Sequence, residues 1–398
     1  MKSKLRVAVI GTTGLPARYG GFETLTHHLV DQLEEEMDFT VYCSNKYFAK
    51  STRRLTVFNG AKLVYLPLNA NGYQSIFYDM ISILHAIRRS DVLLMLGVSG
   101  AMLLPFVKLF SKKKILVNID GQEWKRPKWN WVAKKVLGFS EKVAVRFADV
   151  IISDNVVIKQ YVQNCYGRSD VNLIEYGGDH VSKQPLTKFH FEQYPFLNEP
   201  YAFNVSRIEP ENNIHMILDA FSKAPQQKLV MVGLWNHGSY GMDLRKRYSN
   251  FSNIHLLDPI YDQDQLNALR SNAKFYVHGH SAGGTNPSLV EAMCLGLPIL
   301  SYGIDYNRET TNHRARYFSS PEELLNHLPF FAGRDVSRMG VELQQYGLQK
   351  YAWHRIAALY ASAFKGESSS VAELTSKLAK QQEQTIDLTV KNSKSIAA

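Results

Sequence analysis

The sequence is poor in cysteine, with three in 398 residues and no CxxC pair. Cys43, Cys165 and Cys294 are too far apart for the usual ligand spacing of a zinc site. They are also too few for the disulfide framework of a small secreted protein. The scarcity argues against both classes and favours a reducing cytoplasm.

The sequence also lacks a long hydrophobic run. Its longest mainly apolar stretch without charge, residues 92–107, is shorter than the about 20 residues that a spanning helix needs. Glycines and a proline interrupt it, so we interpret it as a buried strand, a turn and a short helix. The first five residues do not resemble a signal peptide, and we expect a cytoplasmic protein.

Hydrophobic residues make up 45% of the chain and charged residues 21%, which excludes disordered and collagen-like proteins. The length fits two domains of roughly 150–200 residues. Apolar strand-like runs alternate with helical patterns, which predicts doubly wound parallel sheets. The runs are 5–10, 39–43, 62–66, 92–96, 115–119, 150–153, 201–205, 228–232, 254–256, 275–278 and 298–301.

We predict an α/β protein with two domains of similar architecture. The predicted divisions are a first domain over 1–183, a proline-punctuated linker over 184–200, a second domain over 201–345 and a helix over 346–365. We expect the polar tail over 366–398 to be a loose helix followed by disorder.

The net charge is +10, and residues 108–146 hold eleven basic residues against three acidic ones. Such a block suits nucleic acid, an anionic membrane or a phosphorylated ligand. Apolar residues recur within it at helical spacing. They are Val132, Val136, Phe139, Val143 and Phe147. The pattern leaves two interpretations open: a core-facing helix with a solvated basic face, or docking on an anionic membrane.

Two glycine-containing segments stand at the starts of predicted helices. Residues 11–24 (GTTGLPARYGGFET) lack the GxGxxG dinucleotide fingerprint. Gly20 and Gly21 stand where backbone N–H groups could meet phosphate or sugar oxygens, or simply form a tight turn. In residues 278–296 (HGHSAGGTNPSLVEAMCLG), Asn286 and Pro287 are typical of a helix start. Glu291 follows about one turn later, where the helix dipole alone would also favour it.

Two further segments follow predicted buried strands. Residues 118–129 (NIDGQEWKRPKW) place Asp120 at a strand exit among basic and tryptophan residues, unless the segment is a solvated loop. In residues 204–213 (NVSRIEPENN), Arg207 could bind a diphosphate through its fork of donors. It could instead form a surface ion pair with Glu209 or Glu211.

Together the four segments resemble a family 4 retaining glycosyltransferase of the GT-B fold, and most closely its bacterial rhamnosyltransferase branch. The resemblance covers most of residues 1–360. It implies two Rossmann-like domains facing across a cleft. The C-terminal domain would hold the nucleotide sugar, the N-terminal domain would hold the acceptor, and the helix over 346–365 would cross back.

The resemblance also implies residue roles. Arg207 would hold the diphosphate, Glu291 would bind the ribose, and Asp120 would lie near the transferred sugar; these three form the catalytic set. The implied donor-binding residues are Gly20, Gly21, Arg207, Asn212, His280, Gly283, Gly284, Thr285, Asn286, Ser288, Leu289 and Glu291. The implied acceptor-side residues are Arg18, Tyr19, Asp120, Glu123, Trp124 and Arg126.

Two positions depart from the family pattern. Gly283 replaces the first Glu of its paired-Glu motif, and Asn212 replaces a basic residue. The first change removes a carboxylate that often contacts the donor sugar, which suits a deoxysugar with fewer hydroxyls. The second leaves Arg207 as the more isolated cation for the diphosphate.

The resemblance implies transfer of L-rhamnose from dTDP-rhamnose to a lipid-linked saccharide in bacterial surface polysaccharide synthesis. We expect no cofactor and no metal, because no DxD pair occurs in the glycine-rich loops. We expect a peripheral position at the anionic inner face of the plasma membrane, and no nucleic-acid partner, because no such module is present. A nucleotide-sugar epimerase and a non-catalytic binding subunit remain alternatives, and so do two roles for Asp120, as base or as orienting group.

Overall fold

The computed structural model describes residues 3–17, 20–48, 55–119, 121, 123–125 and 129–367. These residues form two compact units. The first contains the described residues up to Glu175 together with those from Trp353 onward, and the second is Tyr176–Ala352.

The first unit is an eight-stranded sheet with helices. Its strands are β1 (Leu5–Ile10), β2 (Met37–Ser44), β3 (Val57–Phe58), β4 (Ala61–Leu66), β5 (Val92–Leu96), β6 (Lys114–Ile119), β7 (Val150–Ser153) and β8 (Val171–Leu173). Its helices are α1 (Gly21–Leu33), α2 (Gln74–Ala86), α3 (Leu104–Phe110), α4 (Trp131–Phe147), α5 (Val156–Tyr166) and α14 (Trp353–Lys365).

The strand order of this sheet is β3-β4-β2-β1-β5-β6-β7-β8, and every pair except β3–β4 is parallel. The central strands are apolar along their length because helices cover both faces of such a sheet. The order reverses between β1 and β5. Ligands of doubly wound sheets bind at the carboxyl ends of the strands beside such a reversal.

The second unit is a six-stranded parallel sheet. Its strands are β9 (Tyr201–Val205), β10 (Lys228–Val232), β11 (Ile254–Leu257), β12 (Phe275–His278), β13 (Ile299–Tyr302) and β14 (Arg316–Phe318). Its helices are α6 (Lys188–Gln193), α7 (Ile214–Ser222), α8 (Ser239–Tyr248), α9 (Gln263–Ser271), α10 (Pro287–Cys294), α11 (Asp305–Thr310), α12 (Pro321–Gly333) and α13 (Ser337–Lys350).

The order here is β11-β10-β9-β12-β13-β14, so the reversal lies between β9 and β12. Apolar cores lie on both faces of the sheet. Phe221 and Leu229 belong to one core, and Phe203 and Leu289 to the other. The loops after β9 and β12 are therefore held on a rigid, well-packed base.

The structure divides the chain differently from the sequence prediction. The second unit begins at Tyr176 rather than after residue 183, because Gly178 packs against α10. A Cβ on Gly178 would lie 2.6 Å from Val290 Cγ1. The N–H of Gly178 donates to the Tyr351 carbonyl at 2.8 Å. The predicted linker over 184–200 belongs to this unit and contains α6.

The helix predicted over 346–365 is two helices, since α13 ends at Lys350 and α14 begins at Trp353. Helix α14 belongs to the first unit. Trp353 stacks on His28 of α1 with ring centroids 4.2 Å apart, and Lys114 Nζ donates to the Ala363 carbonyl at 2.6 Å. The predicted tail lies almost entirely outside the described residues.

Helix α4 buries only part of the predicted apolar stripe, because Val143 is buried whereas two other members are exposed. Val132 and Phe139 are 48% and 56% exposed. The inward face is formed by Ala133, Leu137, Ser140, Glu141, Val143, Ala144 and Val145. Ser140 Oγ donates to the Val98 carbonyl at 2.5 Å. The buried face therefore includes small and polar side chains as well as apolar ones. No helix in the described ranges combines the length and apolarity needed to cross a membrane.

Candidate functional site

The loops after β9 and β12 meet backbone to backbone. A Cβ on Gly279 would lie only 2.1 Å from the carbonyl oxygen of Asn212, so this position requires glycine. Asn213 Nδ2 donates to the Gly279 carbonyl at 2.8 Å, and His280 Nδ1 lies 2.6 Å from Asn212 Oδ1. The structure thus brings together residues 204–213 and 278–296, which the sequence analysis singled out separately.

Arg207 lies at the exit of β9 and is 39% exposed at its side chain. Its guanidinium nitrogens are 3.9 Å from Glu209 and 3.8 Å from Glu211, so both predicted ion pairs are present as loose contacts. Pairs of this kind contribute little stability and exchange readily with another anion. Asn212 adds no charge but donates to the Arg207 carbonyl at 2.7 Å, which fixes the backbone that carries Arg207.

The start of α10 follows the prediction. Asn286 is the N-cap, and its Oδ1 accepts from Ser288 N at 3.1 Å and Ser288 Oγ at 2.8 Å. Pro287 occupies the first turn, where a missing N–H costs nothing. Leu289 is fully buried in the core, so it can offer a ligand only its backbone. The N-terminus of α10 presents backbone N–H groups that favour the binding of an anion.

Gly283 has φ +85°, in the left-handed region that side chains with a Cβ disfavour. A glutamate at this position would strain the loop. The departure from the family pattern therefore goes with a particular backbone shape. Gly284 and Thr285, the next two residues, are buried.

Glu291 is held by two partners that the sequence analysis did not identify. Its Oε2 accepts from Arg270 Nη1, and its Oε1 lies 3.4 Å from His180 Nε2. Arg270 has no exposed side-chain surface and also donates to Asn267 at 2.8 Å. Burial alone would raise the pKa of Glu291, but Arg270 and His180 outweigh it and lower the pKa to about 2. Glu291 is therefore ionised at neutral pH.

In the first unit, Gly20 and Gly21 lie at the start of α1, with Gly20 as the N-cap. Glu23 in the first turn is buried. Its Oε1 accepts from Thr12 Oγ1 at 2.9 Å and from Thr13 N at 2.6 Å. This carboxylate fixes the loop after β1 against α1. Both threonines and Glu23 lie within the segment singled out from the sequence, but the residues proposed there were Arg18, Tyr19, Gly20 and Gly21.

Four predicted residues, Arg18, Tyr19, Asp120 and Arg126, lie outside the described residues. Of the acceptor-side set, the structure describes Glu123 and Trp124. Trp129 Nε1 donates to Glu123 Oε1 at 3.0 Å. This bond joins two described residues of the segment after β6.

Trp124 lies against α4. Its ring is 3.9 Å from the position of a Cβ on Gly138, and its Nε1 donates to Glu141 Oε1 at 3.4 Å. The same oxygen accepts from Tyr161 and Tyr166, each at 2.6 Å. Burial and these bonds raise the pKa of both tyrosines. Glu141 is a buried carboxylate that contacts Trp124. In the sequence it stands out only as an acidic residue within a predicted helix.

Among the described side chains, no three His, Cys, Asp or Glu residues gather where they could hold a metal ion. The expectation that the reaction needs no metal remains a prediction.

Two family matches divide the chain. Residues 4–179 match the family described as "Domain of unknown function (DUF1972)", and residues 187–325 match "Glycosyl transferases group 1". The comparison with curated proteins gave no match. The second match spans the loops after β9 and β12 together with Arg270 and Glu291. The match over residues 187–325 to the glycosyltransferase group 1 family indicates a glycosyltransferase.

Solved structures share the fold over most of the chain. Sucrose-phosphate synthase from Thermosynechococcus elongatus aligns with a TM-score of 0.78 and 14% identity, over 92% of this chain and 100% of that one. HepE of Anabaena in complex with UDP-glucose aligns at 0.69 and 14%, over 91% and 100%. A putative UDP-N-acetylglucosamine 2-epimerase from Listeria monocytogenes aligns at 0.60 and 13%, over 92% and 97%. The fold is GT-B.

The pKa of Glu291 predicts how stability responds to acid. An ordinary value of 4.5 falls to about 2 in the folded protein, so the ionised group stabilises the fold above pH 4.5. That contribution, about 3 kcal/mol, is lost as the pH falls toward 2. We expect the wild type to lose about that much more unfolding free energy than Glu291→Gln over this range, measured by urea denaturation.

Glu192→Gln is the matched control, because Glu192 forms an exposed helical pair with Lys188. It should keep the wild-type acid dependence. Parallel curves for the wild type and Glu291→Gln would show that Glu291 is not held as an ionised partner of Arg270.

Proposed function

We propose that this protein transfers L-rhamnose from dTDP-rhamnose to a lipid-linked saccharide, with retention of configuration, in bacterial surface polysaccharide synthesis. The observation that carries the proposal is the meeting of the loops after β9 and β12 beside an ionised Glu291, within the glycosyltransferase group 1 match. The complex of HepE with UDP-glucose supports a nucleotide sugar as donor. The choice of rhamnose is supported by the four sequence segments and by Gly283.

The reaction breaks the bond between the sugar C1 and the diphosphate oxygen and forms a bond from C1 to the acceptor hydroxyl oxygen. Negative charge develops on the leaving diphosphate, where Arg207 and the N–H groups that open α10 stabilise it. Glu291 accepts hydrogen bonds from the ribose hydroxyls. The acceptor proton passes to the leaving phosphate or to Asp120.

A nucleotide-sugar epimerase is the second candidate, supported by the fold likeness to the Listeria protein. It needs no acceptor hydroxyl, whereas a transferase turns over its donor productively only when an acceptor is present. The group 1 match favours the transferase.

Ligand stabilisation tests the donor. We expect dTDP-rhamnose to raise the melting temperature above the effects of UDP-glucose, UDP-N-acetylglucosamine, GDP-mannose and NAD, because a ligand that binds only the folded state stabilises it. Arg207→Ala should weaken binding at least tenfold, since it removes the cation that meets the diphosphate.

Arg338→Ala is the control, because Arg338 is an exposed arginine of α13 paired with Glu342. It should bind dTDP-rhamnose like the wild type. A shift with NAD alone, or an undiminished shift in Arg207→Ala, would refute the proposed donor site. No shift with any nucleotide sugar would favour a non-catalytic subunit.

We propose that the first unit docks on an anionic membrane. Large apolar side chains stand exposed on three helices that pack around the turn at 101–103, and we call this surface the apolar face. Its members are Tyr73, Phe77, Ile81, Leu84, Met102, Phe106, Leu109, Phe110, Trp131, Val132 and Phe139. Exposed apolar surface flanked by lysines is typical of proteins that bind membrane interfaces. Lys134 and Lys135 of α4 supply positive charge beside it.

Reversing those charges tests the docking. We expect Lys134→Glu with Lys135→Glu to weaken binding to phosphatidylglycerol vesicles at least tenfold in a sedimentation assay, because each basic residue near an anionic surface contributes about 1 kcal/mol. Lys188→Glu with Lys246→Glu, at exposed sites on the second unit, should leave binding unchanged. Equal binding by both double variants would contradict the docking.

A further inference from the structure

The first unit contains a groove between α2 and the start of α4, outside the residues assigned to the reaction. Its walls are mainly apolar and include Tyr73, Ile76, Trp129, Val132 and Val136. Two polar residues that also line it are engaged within the protein. Ser75 Oγ donates to the Gly72 carbonyl at 2.7 Å, and Asn130 Oδ1 accepts from Ala133 N at 2.9 Å.

The groove connects two surfaces that have separate roles in the proposed function. Trp129 in its wall donates to Glu123, which follows β6 on the acceptor side. The Trp129 ring also meets Tyr73 edge to face, with centroids 5.6 Å apart. Tyr73 and Val132, which also line the groove, belong to the exposed apolar face. The groove thus adjoins both the segment after β6 and the surface proposed to meet the membrane.

We infer that this groove holds the first part of the hydrocarbon chain of a lipid-linked acceptor. The inference rests on the proposed function, and it names the part of the acceptor that the first unit binds. The sugar and diphosphate of that lipid lie at the loop after β6, where Lys125 stands over the Trp124 ring at 5.3 Å and supplies positive charge. Lys134 and Lys135 add positive charge beside the groove.

The chemistry of the walls favours a hydrocarbon over a peptide. A peptide strand laid in the groove would bury backbone N–H and carbonyl groups, and each such group costs free energy unless it finds a partner. Ser75 Oγ and Asn130 Oδ1 already have partners within the protein, and so does Trp129 Nε1. Ile76, Val132 and Val136 are apolar, so the walls offer a peptide backbone few polar partners. A hydrocarbon chain buries no polar groups and gains from every methylene removed from water.

Binding of n-alkyl phosphates of four to twelve carbons, kept below their critical micelle concentrations, tests the groove by calorimetry. A buried methylene contributes about 0.8 kcal/mol, so the Kd of the wild type should fall about threefold to fourfold per carbon until the groove is filled. Val136→Trp fills the groove and should remove this dependence. Val341→Trp makes the same change at a half-exposed valine of α13 in the second unit, and it should retain the dependence.

Melting temperature and vesicle sedimentation of Val136→Trp show whether the variant is folded and still docks. If it does not fold, Val132→Ser replaces it and should weaken binding of the longest chain at least threefold, because Val132 lines the groove yet is half exposed. A wild-type affinity independent of chain length would overturn the inference. The inference would also be overturned if a folded Val136→Trp kept the dependence of Kd on chain length. The same holds if the alkyl chains bind only by displacing a second copy of the protein.

These measurements need no donor, so they separate the two proposals. Chain-length dependence without stabilisation by any nucleotide sugar would keep the groove and reject the proposed transfer. Donor stabilisation without chain-length dependence would reject the groove alone.

Discussion

The buried ion pair between Arg270 and Glu291 is the interaction on which the candidate site of the second unit depends. A fully buried guanidinium is costly unless a carboxylate and further acceptors receive it, and Glu291 and Asn267 do so. His180 reaches the other carboxylate oxygen. The pair therefore joins α9, α10 and the segment after β8 in one arrangement. The direction of α10 then determines where its N–H groups and Asn286 stand relative to the loops after β9 and β12.

Both units have a reversal of strand order within the sheet. The strand order reverses between β1 and β5 in the first unit and between β9 and β12 in the second, so each reversal leaves loops at the carboxyl edge. In each unit a glutamate near the start of a helix holds that helix in place: Glu23 of α1 binds the two threonines after β1, and Glu291 of α10 binds Arg270 of α9. The sheets supply a rigid base for both arrangements.

Apolar runs were enough to predict the central strands. Residues 5–10, 92–96, 201–205 and 275–278 form strands with the predicted bounds, because a parallel strand covered on both faces is mainly apolar. Short edge strands such as β3 and β8 were missed, since little of their length is buried. Within the candidate site, Asn286 and Pro287 were readable because a helix start is a local signal.

The tertiary partners of Glu291 could not be predicted from the sequence. Arg270 and His180 meet Glu291 from distant positions in the chain, and nothing local distinguishes them from surface residues. The buried face of α4 was predicted only in part for a related reason: Ser140 and Glu141 find polar partners inside, so this face does not look apolar in sequence. Val132 and Phe139 of the predicted stripe belong instead to the apolar face.

The most direct test of sugar transfer by this site is turnover of labelled dTDP-rhamnose with a panel of lipid-linked saccharides. Release of dTDP is followed over time, and the product linkage is read by nuclear magnetic resonance. We expect release that requires an acceptor, and a glycoside that keeps the anomeric configuration of the donor. Conversion of the donor to an epimer without acceptor, or a product of inverted configuration, would contradict a retaining transferase.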